Sequence, residues 1–196
     1  EAANLDYYRR FVKEKQDWGW KAFPFSLITW SANFSPEMQY NVADWDLSGG
    51  VVKYSNSRKF WWGHVVCSAS ESYRDFYVWK AREFIRKTGV DGLYHDLQWN
   101  SRCGNSNHGP GESHRSIRAD RALNRRIYTV MKTQFNRQVL RWDHASSLVC
   151  SVSSPFSDFF LTGEEMRRYS PEGKHPDYKG RANHFHNLRQ IGRAHV

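Results

Sequence analysis

Two segments, Gly89-Val-Asp-Gly-Leu-Tyr-His-Asp96 and Val139-Leu-Arg-Trp-Asp-His144, each follow a long amphipathic stretch, and each ends an apolar run in a carboxylate and an imidazole. That repeated order of helix, apolar strand and charged strand end constrains the fold more than any other feature. Glu71 to Thr88 places Tyr73, Phe76, Tyr77, Trp79, Phe84 and Ile85 largely on one side of a helix. Ser116 to Gln134 does the same with Ile117, Leu123, Ile127, Val130 and Met131. Ser68 or Ser70 caps the first of these helices and Gly89 closes it. Strands that alternate with amphipathic helices imply a mainly parallel sheet with covered faces.

The rest of the chain extends the pattern. Asn4 to Lys15 reads as a further amphipathic helix, with Leu5, Tyr8, Phe11 and Val12 at helical spacing. Ala22 to Trp30 reads as a strand with Pro24 near its start, Phe60 to Cys67 as a second strand, and Pro155 to Thr162 as the last. Long connections, Ser31 to Lys59 and Leu97 to His114, separate these elements and read as substrate-facing loops. The expected fold class is therefore α/β, about five parallel strands with covering helices, too few to close an eight-stranded (β/α)8 TIM-type barrel.

A closed barrel of this type needs about eight strands, so the missing remainder of the barrel is an expected partner. Residues 1–189 read as one partial barrel domain. Gln190-Ile-Gly-Arg-Ala-His-Val196 reads as a non-native tail resembling translated adapter sequence, and with the absent initiator Met it makes an internal fragment the expectation.

Charge and composition narrow the function classes. The formal charge of +9 would suit nucleic acid, but the basic residues are scattered. Their densest run, Arg118 to Arg126, is interrupted by Asp120 and carries no nucleic-acid-binding signature, so no nucleic-acid partner is expected. No apolar run is long enough to cross a bilayer, so no membrane partner is expected either. Cys67, Cys103 and Cys150 have no Cys-x-x-Cys spacing and read as buried or incidental thiols.

Three strand ends carry chemistry: His95 with Asp96, Asp143 with His144, and Glu164 with Glu165. Parallel strands place all their carboxyl ends on one edge, so these groups are expected to converge. Two carboxyl groups in different environments, one ionised and one kept protonated, are what hydrolysis of a glycosidic bond needs. Trp30, Trp45, Trp61, Trp62 and Trp99 lie in or beside the same loops and offer aromatic faces for stacking on sugar rings. The expected substrate is a carbohydrate. His95, Asp143, His144, Trp30, Trp62 and Trp99 are the substrate-binding candidates.

A non-catalytic barrel whose acids only hydrogen-bond sugar hydroxyls is the alternative. A metal-dependent hydrolase using His95, Asp96, His108, His114 and Asp143, with Cys103 as a soft donor, is a further one, though no pair has helical metal-site spacing. No metal or other cofactor is assigned. The serines at 146, 147, 151, 153 and 154 sit in no Gly-x-Ser-x-Gly elbow.

Taken in order, Gly89 to Asp96, Trp142-Asp-His-Ala-Ser146 and Ser157-Asp-Phe-Phe-Leu-Thr-Gly-Glu-Glu165 resemble the glycoside hydrolase family 123-like proteins over Phe23 to Tyr178. The resemblance implies a (β/α)8-type catalytic barrel, usually within a larger secreted or periplasmic bacterial chain that carries β-sandwich domains. It implies Asp96 and Glu164 or Glu165 as catalytic carboxylates, with His144 lining the site. One departure is plain: that family uses an adjacent Asp-Glu pair, whereas Leu97 follows Asp96 here. The substrate-assisted hexosaminidase route is therefore not implied.

Overall fold

A computed structural model of the chain describes residues 5–32, 34–47, 63–96, 102–108, 114–115, 117–144 and 154–161. Four helices occur among them: α1 (Leu5–Asp17), α2 (Pro36–Trp45), α3 (Glu71–Thr88) and α4 (Ile117–Thr133). The strands are β1 (Phe25–Leu27), β2 (Trp30–Ala32), β3 (Gly63–Val65), β4 (Gly92–Asp96), β5 (Arg102–Cys103), β6 (His114–Arg115), β7 (Leu140–His144) and β8 (Phe159–Leu161). Four of these, in the order β1-β4-β7-β8, form a parallel sheet. With α3 feeding β4 and α4 feeding β7, this is the sheet and helix arrangement of a partial α/β barrel.

The helix ends follow from their sequences. The Ser70 hydroxyl accepts the Tyr73 amide at 3.2 Å at the start of α3. At its other end Gly89 takes a left-handed conformation, φ 74°, and donates its N–H to Ile85. Val78, Ile85 and Val90 then meet Leu123, Ile127 and Met131 of α4 over Leu93 and Val139, and these residues make up most of the apolar core. Burying such aliphatic side chains supplies about 2 kcal/mol each against the entropy of ordering them.

The sheet differs from the five-strand expectation in a definable way. Ala22 to Trp30 does not run as one strand, because the Ile28 carbonyl accepts the Tyr73 hydroxyl at 2.5 Å instead of a ladder partner. The chain bends there, and β2 pairs antiparallel with β3 in a separate two-stranded sheet, Trp30 opposite Val65. The expected strand Phe60 to Cys67 is therefore not a member of the parallel sheet. A second correction concerns the long connection after β2, which contains α2. Ser35 accepts the Met38 amide at 3.3 Å, Pro36 sits in the first turn, and Met38 and Trp45 are buried. Three residues expected on buried stripes, Phe11, Trp79 and Ile117, are exposed.

No helix among the described residues is long and apolar enough to cross a membrane. The expected boundary at residues 189/190 lies outside the described residues.

Gly92 shows how tightly β4 is seated. A Cβ there would collide with the Leu140 carbonyl of β7 and lie 2.6 Å from the Phe23 ring, so only glycine allows the two strands to pair at this point. Gly89 has open space around it and only a backbone preference to lose. Gly92→Ala should lower unfolding free energy by about 3 kcal/mol, at the upper end of overpacking costs. Gly89→Ala should cost only about 1 kcal/mol. Denaturant titration of both variants checks the order; equal losses would contradict the β4–β7 contact described.

Candidate active site

Register decides which strand-end groups meet. In the β4–β7 pair Leu93 lies opposite Arg141, Tyr94 opposite Trp142 and His95 opposite Asp143. Strand residues alternate between faces, so Leu93, His95, Arg141 and Asp143 share one face and Tyr94, Asp96, Trp142 and His144 the other. The first face carries the helices: Tyr77 of α3 lies 6.1 Å from the His95 ring and Asn124 of α4 accepts from Arg141. Because β4 ends His-Asp and β7 ends Asp-His, each face receives one acid and one imidazole.

On the helix-covered face the groups form a closed network. The Arg141 guanidinium, fully buried, donates through Nε to Asp143 Oδ1 at 2.9 Å and through both terminal nitrogens to the backbone and side-chain oxygens of Asn124. The Ser157 hydroxyl donates to the other Asp143 oxygen, and His95 Nδ1 lies 3.4 Å from Asp143 Oδ1. Burial, the largest influence, pushes the Asp143 carboxyl up, but Arg141, His95 and Ser157 together hold it below the usual range. Burial also dominates at His95 and drives its pKa down to about 4, so the ring is neutral near pH 7. His95 and Asp143, expected among the substrate-binding residues, therefore lie buried between sheet and helices, because their register puts them one residue out of phase with Asp96 and His144.

The opposite face holds Asp96 and His144. Asp96 Oδ1 lies 2.9 Å from His144 Nδ1 at the carboxyl edge of the sheet, and the Asp96 side chain is 17% exposed. Tyr94 stacks on His144 at 5.9 Å with an interplanar angle of 25°. Below them Tyr94, Trp142, Phe23, Phe25 and Phe159 make a continuous set of ring contacts between 5.7 and 6.3 Å. Phe25 and Phe159 are 55% and 48% exposed. This face pairs an ionisable acid with an orienting imidazole beside accessible aromatic surface, which suits a polar ligand with apolar faces.

The other sequence candidates are placed as follows. Trp30 is half-buried in β2. Trp45, expected to offer a stacking face, is instead core: it is buried against Tyr73 and Phe76 and donates its indole N–H to Ser72 at 2.7 Å. Glu164, Glu165, Trp61, Trp62, Trp99 and Cys150 lie outside the described residues.

Among the described imidazoles, His95 and His144 are on opposite faces and His108 sits with thiols. Cys67 Sγ, Cys103 Sγ and a His108 ring nitrogen lie within 4.8 Å of one another; Cys103 and His108 are among the metal donors weighed from the sequence, and Cys67 is not. Burial pushes the Cys67 thiol up to about 12. The local signal available in the sequence was Cys103 and His108 five positions apart, but nothing in it pointed to Cys67 as their neighbour.

No family model matches the chain, and no curated protein does. Solved structures do. The maltogenic α-amylase AmyB of Thermotoga neapolitana superimposes with a TM-score of 0.53 at 11% identity, covering 83% of this chain and 33% of that one. The α-amylase of Geobacillus thermoleovorans complexed with acarbose gives 0.52 at 10% identity, with 83% and 34% covered. The α-galactosidase of Thermus thermophilus in complex with stachyose gives 0.54 at 12%, with 78% and 30% covered. The chain thus spans about a third of the length of these structures. At such identities the likeness is one of fold alone, and it does not show family 123.

A pH dependence follows from His95. Its folded pKa of about 4 lies below the ordinary histidine value of 6.5, so between these values the unfolded chain binds the extra proton. Stability is therefore fully present above pH 6.5 and falls as pH drops toward 4, by about 3 kcal/mol for a fully buried ring. Asp143, whose folded pKa is depressed, loses its contribution only at still lower pH. Urea unfolding from pH 7 to pH 4 should show this slope in the wild type and a flatter one in His95→Gln. Parallel profiles would contradict a neutral buried His95.

Proposed function

We propose that the chain is part of the catalytic barrel of a glycoside hydrolase acting on a poly- or oligosaccharide. The observation that carries this reading is the Asp96–His144 pair, 2.9 Å apart at the carboxyl edge of the parallel sheet, on the face away from the helices and beside exposed aromatic rings. That edge is where α/β barrels collect their reactive groups. The fold shared with α-amylases and an α-galactosidase agrees with it.

In this mechanism Asp96 acts as the carboxylate that attacks the anomeric carbon or stabilises its developing positive charge. His144 is a positioning residue: its Nδ1 holds the Asp96 carboxylate in one orientation, and Tyr94 stacked beneath holds the ring. Glu164 or Glu165, on the segment after β8, supplies the general acid that protonates the leaving oxygen. A separation of about 5 Å between the two carboxyl groups would make the reaction retaining, and about 6.5 to 9.5 Å inverting. Phe25 and Phe159 supply apolar surface for sugar faces, and Trp62 and Trp99, which precede β3 and follow β4 in sequence, are assigned the same role. The remainder of the barrel completes the enclosure.

Asp96→Asn in the full parent protein tests the assignment. It keeps the side chain's shape and should lower kcat/KM for glycan hydrolysis on the order of 10³-fold or more, with the unfolding midpoint little changed. Undiminished turnover removes Asp96 from the mechanism.

A further inference from the structure

The cluster of Cys67, Cys103 and His108 plays no part in the proposed sugar chemistry, and its construction is specific. We propose that these three side chains form a binding site for one thiophilic divalent ion, zinc foremost. Cys67 and Cys103 are buried and the His108 side chain is only 2% exposed, with ligand atoms mutually within 4.8 Å and Cys103 Sγ only 3.2 Å from His108 Nδ1. A tetrahedral zinc with Zn–S of about 2.3 Å and Zn–N of about 2.0 Å needs its ligand atoms about 3.5 to 3.8 Å apart. Small rotations about the Cys and His side-chain bonds bring this cluster to that spacing.

The surroundings are those of a metal-bound imidazole. His108 turns one ring nitrogen to the thiols and presents the other, Nε2, to Asp44 Oδ1 at 3.4 Å. A carboxylate behind a ligating histidine fixes ring orientation and raises ligand basicity. Asp44 is itself held by the hydroxyls of Ser70 and Ser72 at 2.7 and 2.6 Å. The loop bearing Cys103 and His108 is fastened to the end of α2 independently of the cluster. Gly104 N–H donates to the Leu47 carbonyl at 2.9 Å, and the Asn105 amide to the carbonyls of Ala43 and Asp46 at 2.9 and 2.8 Å. The ligands are thus brought together by hydrogen bonds that need no ion, and a preformed site loses little entropy on binding.

Ligand chemistry selects the ion. Two sulfurs and an imidazole suit zinc and disfavour calcium or magnesium, which take oxygen ligands. Each thiol releases its proton to solvent as it binds, so two thiolates balance the dication, and water fills the fourth position. The ion would join the segment after β3 to the segment that carries Cys103 and His108.

Cobalt(II) titration of the reduced full chain under anaerobic conditions reads the site directly. One equivalent should produce a thiolate-to-cobalt charge-transfer band with tetrahedral ligand-field bands, and added zinc should bleach both. Cys67→Ser, Cys103→Ser and His108→Ala should each abolish the stoichiometric spectrum, while Cys150→Ser keeps it. Asp44→Asn should keep the bands but weaken binding about tenfold or more. The proposal is overturned if the reduced, folded wild type gives no charge-transfer band, or if the band survives both Cys67→Ser and Cys103→Ser. It is also overturned if the protein carries a Cys67–Cys103 disulfide that, once reduced, takes up no cobalt. The decisive arm uses the wild type, so poor folding of a variant does not shield the idea.

Discussion

The pairing of β4 with β7 in one register is the constraint on which the rest of the site depends. His95 opposite Asp143 sets Asp96 opposite His144, and the reversed order of acid and imidazole on the two strands gives each face of the sheet one such pair. A slip of one residue in β4 would drive Asp96 into the helix layer, and one in β7 would drive the Arg141 side chain out of it. Gly92 guards against that slip from one end, since the Leu140 carbonyl occupies the space where any side chain would stand.

The two pairs have the same chemistry and opposite environments. On the covered face Arg141 and Ser157 each donate to one Asp143 oxygen and Asn124 accepts from Arg141, so the burial of charge is offset by hydrogen bonds to every charged group. Losing any one partner would leave a buried charge uncompensated, which makes this network a lock on register more than a source of net stability. On the open face Asp96 keeps contact with solvent, and Tyr94 fixes its imidazole partner. A rigid pair on one side of a strand thereby aims the adjacent residue on the other.

Much of this was legible in the sequence where the signal is local. Ser70 and Gly89 mark both ends of α3, and the charged ends of β4 and β7 are visible as written. The division of His95 from Asp96 was not, because two neighbouring residues read as one cluster until a register assigns their faces. The parallel strand expected at Phe60 to Cys67 was misplaced because its partner, Trp30–Ala32, leaves the main sheet after the Tyr73 hydroxyl captures the Ile28 carbonyl, a contact 45 residues apart in sequence. Helix α2 was passed over although Ser35-Pro36-Glu37 announces it, since the stretch after it reads as loop. The thiol–imidazole cluster joins segments that only tertiary structure brings together.

The central claim is that the Asp96–His144 face meets sugar while the His95–Asp143 face is closed. Imidazole nitrogen resonances, recorded by long-range 1H–15N correlation on the full-length protein during titration with a panel of oligosaccharides, test it most directly. The two-face arrangement predicts that His144 signals move with saturable dependence on sugar while those of His95 stay fixed. Movement of His95 with His144 unperturbed would contradict it.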